Sequence, residues 1–233
     1  MIQVVSMLKT NQRGPVTMSK VNIGLLISQS GPTGIWAPSC LNGAILSAAE
    51  TNAAGGVHGR EVNLVVRDAG WDPAVAARIA RDLVEIDNVS VIVAMVASNA
   101  RRRISFAIAG RVPFIYTPNY EMDAPEPTIA LSATDDRLIP PMLAWIEQRF
   151  QARRFLMIGS DYRWPQRTMP MTGRMIAAAG GTVVGMLSRP LDAPEDWDRR
   201  AVEDIRKADP DVVLCFLVGD QGIPFYRIYG EAG

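Results

Sequence analysis

Short β-branched runs alternate with segments of helical period along almost the whole chain, and each run breaks off into a loop of hydroxyl, amide and aromatic side chains. That alternation confines the chain to an α/β fold, because strands joined through helices lie parallel and cross over with a right hand. Residues 21–27 read as a buried strand, followed by a helix from Pro38 with Leu41, Ala44, Ile45, Ala48 and Ala49 on one face. Gly55 and Gly56 close that helix. A strand at 62–67 precedes Asp72 and Pro73, a cap and first-turn proline for a helix reaching residue 86. A strand at 89–96, a helix at 99–109 and a strand at 112–116 complete a four-strand block, and a short strand at 129–132 follows. The pattern then resumes with a helix at 135–150, carrying Leu138, Met142, Ile146 and Phe150 on one stripe and Pro140 and Pro141 in its early turns. Strands at 155–158, 182–187 and 212–218 alternate with helices at 165–179, 196–208 and from about 224.

Two blocks of the same grammar predict two lobes: a disordered leader at 1–20, an N-terminal ligand-binding lobe at 21–134 and a partial C-terminal ligand-binding lobe at 135–233. The second block offers three strands before the sequence stops, which would leave a sheet edge and an apolar face uncovered. Either the sequence is a fragment or another chain completes it.

Composition narrows the function. The 24 basic and 24 acidic residues give no field for steering nucleic acid, so Arg101, Arg102 and Arg103 read as a solvated helix face. Cys40 and Cys215 read as buried free thiols. No apolar run reaches the ~18 residues of a membrane span, and residues 1–20 lack the parts of a secretory signal. The expected location of the chain as written is therefore the cytoplasm, or the periplasm if the true start lies elsewhere; Met18 is a candidate start.

Catalytic and metal chemistry find little support. His58, the only histidine, lies in Gly55-Gly56-Val57-His58-Gly59, where the glycines follow a helix and precede a strand, a cap and turn and not a phosphate loop. One histidine and two isolated cysteines exclude a zinc cluster by count, and no cofactor is expected. Asp68 with Asp72, Asp135 with Asp136, and Glu195 with Asp196 and Asp198 suit caps and surface turns. With no acid–base pair in one place, binding outranks catalysis, and an enzyme on a doubly wound fold is the third choice.

The loops beyond the strand ends are where parallel sheets hold ligands. They carry Ser30, Trp36, Ser98, Tyr116, Asn119, Tyr162, Trp164 and Gly219, a set suited to a small polar solute. The aromatic members have a second reading as packing at a lobe boundary. Ser98 has two readings as well: a helix cap, or a hydroxyl holding a ligand oxygen beside free N–H groups.

The opening Val21-Asn22-Ile23-Gly24-Leu25-Leu26, then Asn42-Gly43-Ala44, Asn52 to Arg60 and Asp68 to Pro73, resembles the type I periplasmic binding proteins of the branched-chain amino-acid receptor group. Tyr116-Thr117-Pro118-Asn119-Tyr120-Glu121, Ile158 to Pro165 and Gly219 to Tyr226 are most similar to the urea and short-chain amide receptors, including the cytosolic amide sensor of an amidase operon. The resemblance implies two Rossmann-like three-layer αβα lobes with parallel sheets, the second incomplete here, closing on a ligand like a hinged trap. It places Ala97 and Ser98, then Tyr116 and Thr117, on the first-lobe wall, and Tyr162 or Trp164 with Asp220 on the second. Thr117 and Met122 depart from the urea and amide pattern, which has proline and glycine there. The implied function is the substrate-binding component of an ABC importer for an amide, urea or amino acid, its partner a permease. The alternative is a cytosolic sensor acting through a regulatory protein, and a homodimer is left open.

Overall fold

The computed structural model describes residues 19–121 and 127–232. Strands β1 (Lys20–Ile27), β2 (Glu61–Asp68), β3 (Val91–Met95), β4 (Phe114–Tyr116) and β5 (Thr128–Ala130) form one parallel sheet in the order β2-β1-β3-β4-β5. Strands β6 (Arg154–Ser160), β7 (Thr182–Arg189) and β8 (Val212–Phe216) form a second, in the order β7-β6-β8. Every ladder in both sheets is parallel. The helices are α1 (Ala37–Ala53), α2 (Pro73–Glu85), α3 (Ser98–Ile108), α4 (Asp135–Phe150), α5 (Arg163–Ala178), α6 (Glu195–Ala208) and α7 (Gly222–Glu231). The short strand expected before the second block joins the first sheet, which has five strands and not four, because Ile115 pairs with Ile129 on the edge.

Period-two alternation sends successive residues of a strand to opposite faces. In β1, Leu26 packs with Ile92, Phe114, Ala76, Leu83, Ile104 and Ile108 under α2 and α3, while Leu25 and Ile27 pack on the other face with Ala37, Leu41 and Ala44 of α1. Ala76, Ala80 and Leu83 of α2, and Ala100, Ile104 and Ile108 of α3, are buried at helical spacing. In the second sheet Phe155 and Met157 meet α4 and α5, and Leu156 and Ile158 meet α6 and α7.

Several local expectations are corrected. Of the expected α4 stripe Ile146 is buried and Met142 partly so, while Leu138 and Phe150 are exposed; Ile139 and Leu143 take their place because they face the second sheet with Ile146. Ile45 of α1 is exposed, since the face toward the sheet is set by Ala37, Leu41 and Ala44. Helix α7 begins at Gly222 and runs 10 residues. Arg101 is not on a solvated face: it is 1% exposed, its guanidinium lies 4.8 Å from the Tyr116 ring centroid and 5.2 Å from that of Tyr120, and it pairs with Glu121 at 3.7 Å. Arg102 and Arg103 are exposed as expected. Both cysteines are free and half-buried. Lys20, assigned to the leader, already pairs with Glu61 in the sheet; the rest of that leader up to residue 18, and Met122, lie outside the described residues. Among the described residues no helix is long and apolar enough to cross a membrane.

Candidate functional site

Strand order decides where a cleft opens. β1 has β2 on one side and β3 on the other, and β6 stands likewise between β7 and β8, so the loops leaving β1 and β3, and those leaving β6 and β8, diverge at a switch point in each sheet. The two switch points face each other across a cavity of about 460 Å³, lined from all four loops, the loop after β4 and the start of α1.

The loop after β1 is organised by Asp68 at the end of β2. Its carboxylate accepts from Gln29 N–H (2.8 Å), Ser30 Oγ (2.7 Å) and Gly70 N–H (2.8 Å). Burial pushes the Asp68 carboxyl up, but the hydrogen bonds from Gly70, Ser30 and Gln29 outweigh it and hold the group below its ordinary range. Thr33, Trp36 and Cys40 then reach the cavity. Burial raises the Cys40 thiol, so it stays protonated at neutral pH.

After β3 the backbone is extended at Ala97 and α3 starts at Ser98 with no side-chain cap. Of the two readings of Ser98, the cap is not used. The side chain is 4% exposed, its Oγ has no partner among the described residues, and it lines the cavity together with Ala97. A buried hydroxyl without a partner costs stability unless something else satisfies it. The first N–H groups of α3 stand beside it with the positive end of the helix dipole.

Tyr116, at the end of β4, is 1% exposed and lines the cavity with Asn119. From the second lobe come Tyr162 and Trp164, whose rings lie 6.5 Å apart. Burial drives both phenols well above the ordinary tyrosine value of 10.0; the Arg101 charge opposes the rise at Tyr116, and Tyr116, Glu121 and Asp135 reinforce it at Tyr162. Both therefore remain neutral. Trp36 completes the aromatic lining. Among the described residues the lining carries no Asp, Glu, Lys or Arg.

Four expected site residues stand outside this wall. Ser30 is held by Asp68, as above. Thr117 turns its hydroxyl back to Ala94 C=O at 2.9 Å, because its backbone is already bonded to the same carbonyl in the ladder of β3. Gly219 (φ +53°) and Asp220 meet the other lobe at Pro32. A Cβ on Gly219 would lie 1.7 Å from Pro32 O, and Asp220 N–H donates to that oxygen at 2.9 Å; the Asp220 side chain is exposed.

Other residues at the lobe boundary escaped the sequence reading. Trp71 meets Tyr162 edge-on at 5.2 Å across the cleft, and Glu121 pairs with Arg101 of α3 and with Arg163 of α5 at 2.9 Å. Asp135, read as a cap or surface turn, is 1% exposed and accepts from Asn119 and Trp164. Its only sequence signal was an acid at a helix start, which most helices share. Among the described residues no three His, Cys, Asp or Glu side chains gather as a metal site.

What this arrangement can do is hold a small molecule, a carbonyl or carboxylate oxygen at Ser98 and the start of α3, with aromatic planes around its body. The model of the family described as periplasmic binding protein matches residues 20–233. The chain belongs to the periplasmic binding protein family. Its fold is the type I periplasmic binding protein architecture expected from the sequence. An ABC transporter substrate-binding protein from Sphaerobacter thermophilus superposes with a TM-score of 0.75 at 23% identity, over 92% of this chain and 60% of that one. The branched-chain amino acid transporter substrate binding protein LivJ from Streptococcus pneumoniae, in complex with isoleucine, gives 0.75 at 19% identity over 84% and 57%. A solute binding protein of an ABC transporter from Rhodopseudomonas palustris, in complex with 4-hydroxybenzoate, gives 0.78 at 21% over 92% and 59%. The chain thus spans at most 60% of the length of these periplasmic binding proteins.

Proposed function

We propose that this chain is the solute-capturing part of an ABC importer, closing its lobes on a small organic molecule with a carbonyl or carboxylate head and presenting the closed form to a permease. The observation that carries the reading is the Ser98 hydroxyl, 4% exposed and without a partner among the described residues, at the start of α3 in an aromatic-lined cavity between two lobes. Amides, ureas and amino acids share the planar C=O oxygen that such a site would hold. A cavity of about 460 Å³ has far more room than urea or acetamide fills, so the favoured solute has a larger, apolar and flat or branched body. The named relatives that hold isoleucine and 4-hydroxybenzoate fit that description. Binding, with no turnover of the solute, is the whole of the proposed activity. Lobe closure works by population shift: the solute touches both lobes only when they meet, so its affinity favours the closed arrangement.

Calorimetry with acetamide, urea, leucine and 4-hydroxybenzoate tests the reading. At least one of the larger two is expected to bind, with affinity about tenfold weaker in Ser98→Ala. An affinity that Ser98→Ala leaves unchanged, or no binding by any of the four, removes the reading's main support.

A further inference from the structure

We infer that Asp135, which is not part of the cavity wall, fixes the hydrogen-bonding sense of Asn119 so that the cavity selects solutes carrying a hydrogen-bond donor; this rests on the solute-receptor reading above.

Asp135 opens α4 yet is 1% exposed, and its carboxylate collects three donors. Oδ1 accepts from Asn119 Nδ2 at 3.2 Å; Oδ2 accepts from Trp164 Nε1 at 2.7 Å and from Thr168 Oγ1 at 2.5 Å. An indole N–H can only donate and a carboxylate only accepts, so the Asn119 amide has one choice: its NH2 turns to Asp135. The carbonyl Oδ1 is then on the other branch of the amide. Asn119 lines the cavity, so what it offers a solute is an acceptor. Trp164, also in the wall, is held by the same carboxylate from the opposite lobe. A single group behind the wall therefore orients one contact residue in each lobe. Ser98 and the start of α3 receive the solute's oxygen, and Asn119 reads a donor elsewhere on it.

Three para-substituted benzoates of nearly equal size test this by calorimetry: 4-aminobenzoate, 4-hydroxybenzoate and 4-fluorobenzoate. The native chain is expected to bind the amino and hydroxy compounds about tenfold more tightly than the fluoro compound, the worth of one hydrogen bond. In Asp135→Asn the new amide must still accept from Trp164, so it donates to Asn119 and turns that residue's NH2 toward the solute. The 4-aminobenzoate advantage then disappears, while 4-hydroxybenzoate, whose oxygen also accepts, keeps its own. A role confined to holding the lobes together would weaken all three compounds in proportion. Should Asp135→Asn fail to fold by circular dichroism, Asn119→Leu, at a position exposed in the free chain, carries the test and should bring the three affinities within about twofold. Equal affinities in the native chain overturn the inference and leave the receptor reading standing. No binding by any of the three overturns it too, and the acetamide, urea and leucine titrations then decide whether the receptor reading falls with it.

Discussion

At the scale of single residues, environment and not type decides role. Three consecutive arginines on α3 are indistinguishable by composition, yet Arg101 lies between two tyrosine rings and a glutamate while its neighbours meet solvent. Charge over a ring face and a buried counter-ion together repay the desolvation that an arginine in that place would otherwise suffer. Asp68 shows the same dependence with a measurable sign. Its folded value lies below the ordinary 3.8, because Gly70, Ser30 and Gln29 donate to the charged form against the opposing effect of burial. A depressed carboxyl contributes stability above its unfolded value and loses it as pH falls through the folded one. The melting temperature of the native chain is therefore expected to drop relative to Asp68→Asn as the pH is lowered from 5 to about 2. Two curves that stay parallel through that window would show that the loop after β1 does not depend on the charge.

At the scale of elements, the order of strands and helices was legible because burial on both faces gives parallel strands their β-branched runs and because caps are local chemistry. Asp72 is an example: it was read as a cap from the Asp-Pro pair, and its carboxylate accepts from Ala74 N–H (2.6 Å) and Val75 N–H (3.2 Å). Asp72→Ala should cost about 1 kcal/mol in denaturant titration with an unchanged slope; a midpoint that does not move would mean α2 holds its start by packing alone. What stayed hidden was whatever depends on how an element is rotated or what it meets across the cleft. The apolar spacing of α4 allowed more than one stripe, and only the sheet beneath it selected Ile139, Leu143 and Ile146. Trp36, Ala97, Ser98, Tyr116, Asn119, Tyr162 and Trp164 were found as wall residues because they directly follow strands or open helices in the loops where parallel sheets expose them. Ser30, Thr117, Gly219 and Asp220 occupy the same kind of loop and face elsewhere, since a neighbouring acceptor or the opposing lobe engages them first. Asp135 is 1% exposed because α5 and the loop after β4 both pack on the start of α4, a long-range event that no local pattern records.

At the scale of the whole molecule, the lobes touch on both sides of the cavity. Gly219 meets Pro32 on one side; Glu121 with Arg101 and Arg163, and Asp135 with Asn119 and Trp164, join them on the other. The first contact tolerates no side chain. Gly219→Leu places a branched group where Pro32 O already lies 1.7 Å from the Cβ position, so the lobes should stay apart. Small-angle scattering is expected to give a larger radius of gyration, and solute affinity should fall more than about tenfold, since contacts from one lobe alone remain. Native-like affinity in that variant would separate capture from closure.

The placement of the cavity at the strand ends divides its wall into two kinds of residue. Ile27, Ala37, Val96 and Tyr116 are buried in the apolar faces packed on the first sheet and line the cavity as well, whereas Ser39, Ser98 and Asn119 line it without belonging to any packed apolar cluster. A substitution in the first group would alter the shape of the hollow and the support beneath it together; one in the second would alter the hollow alone.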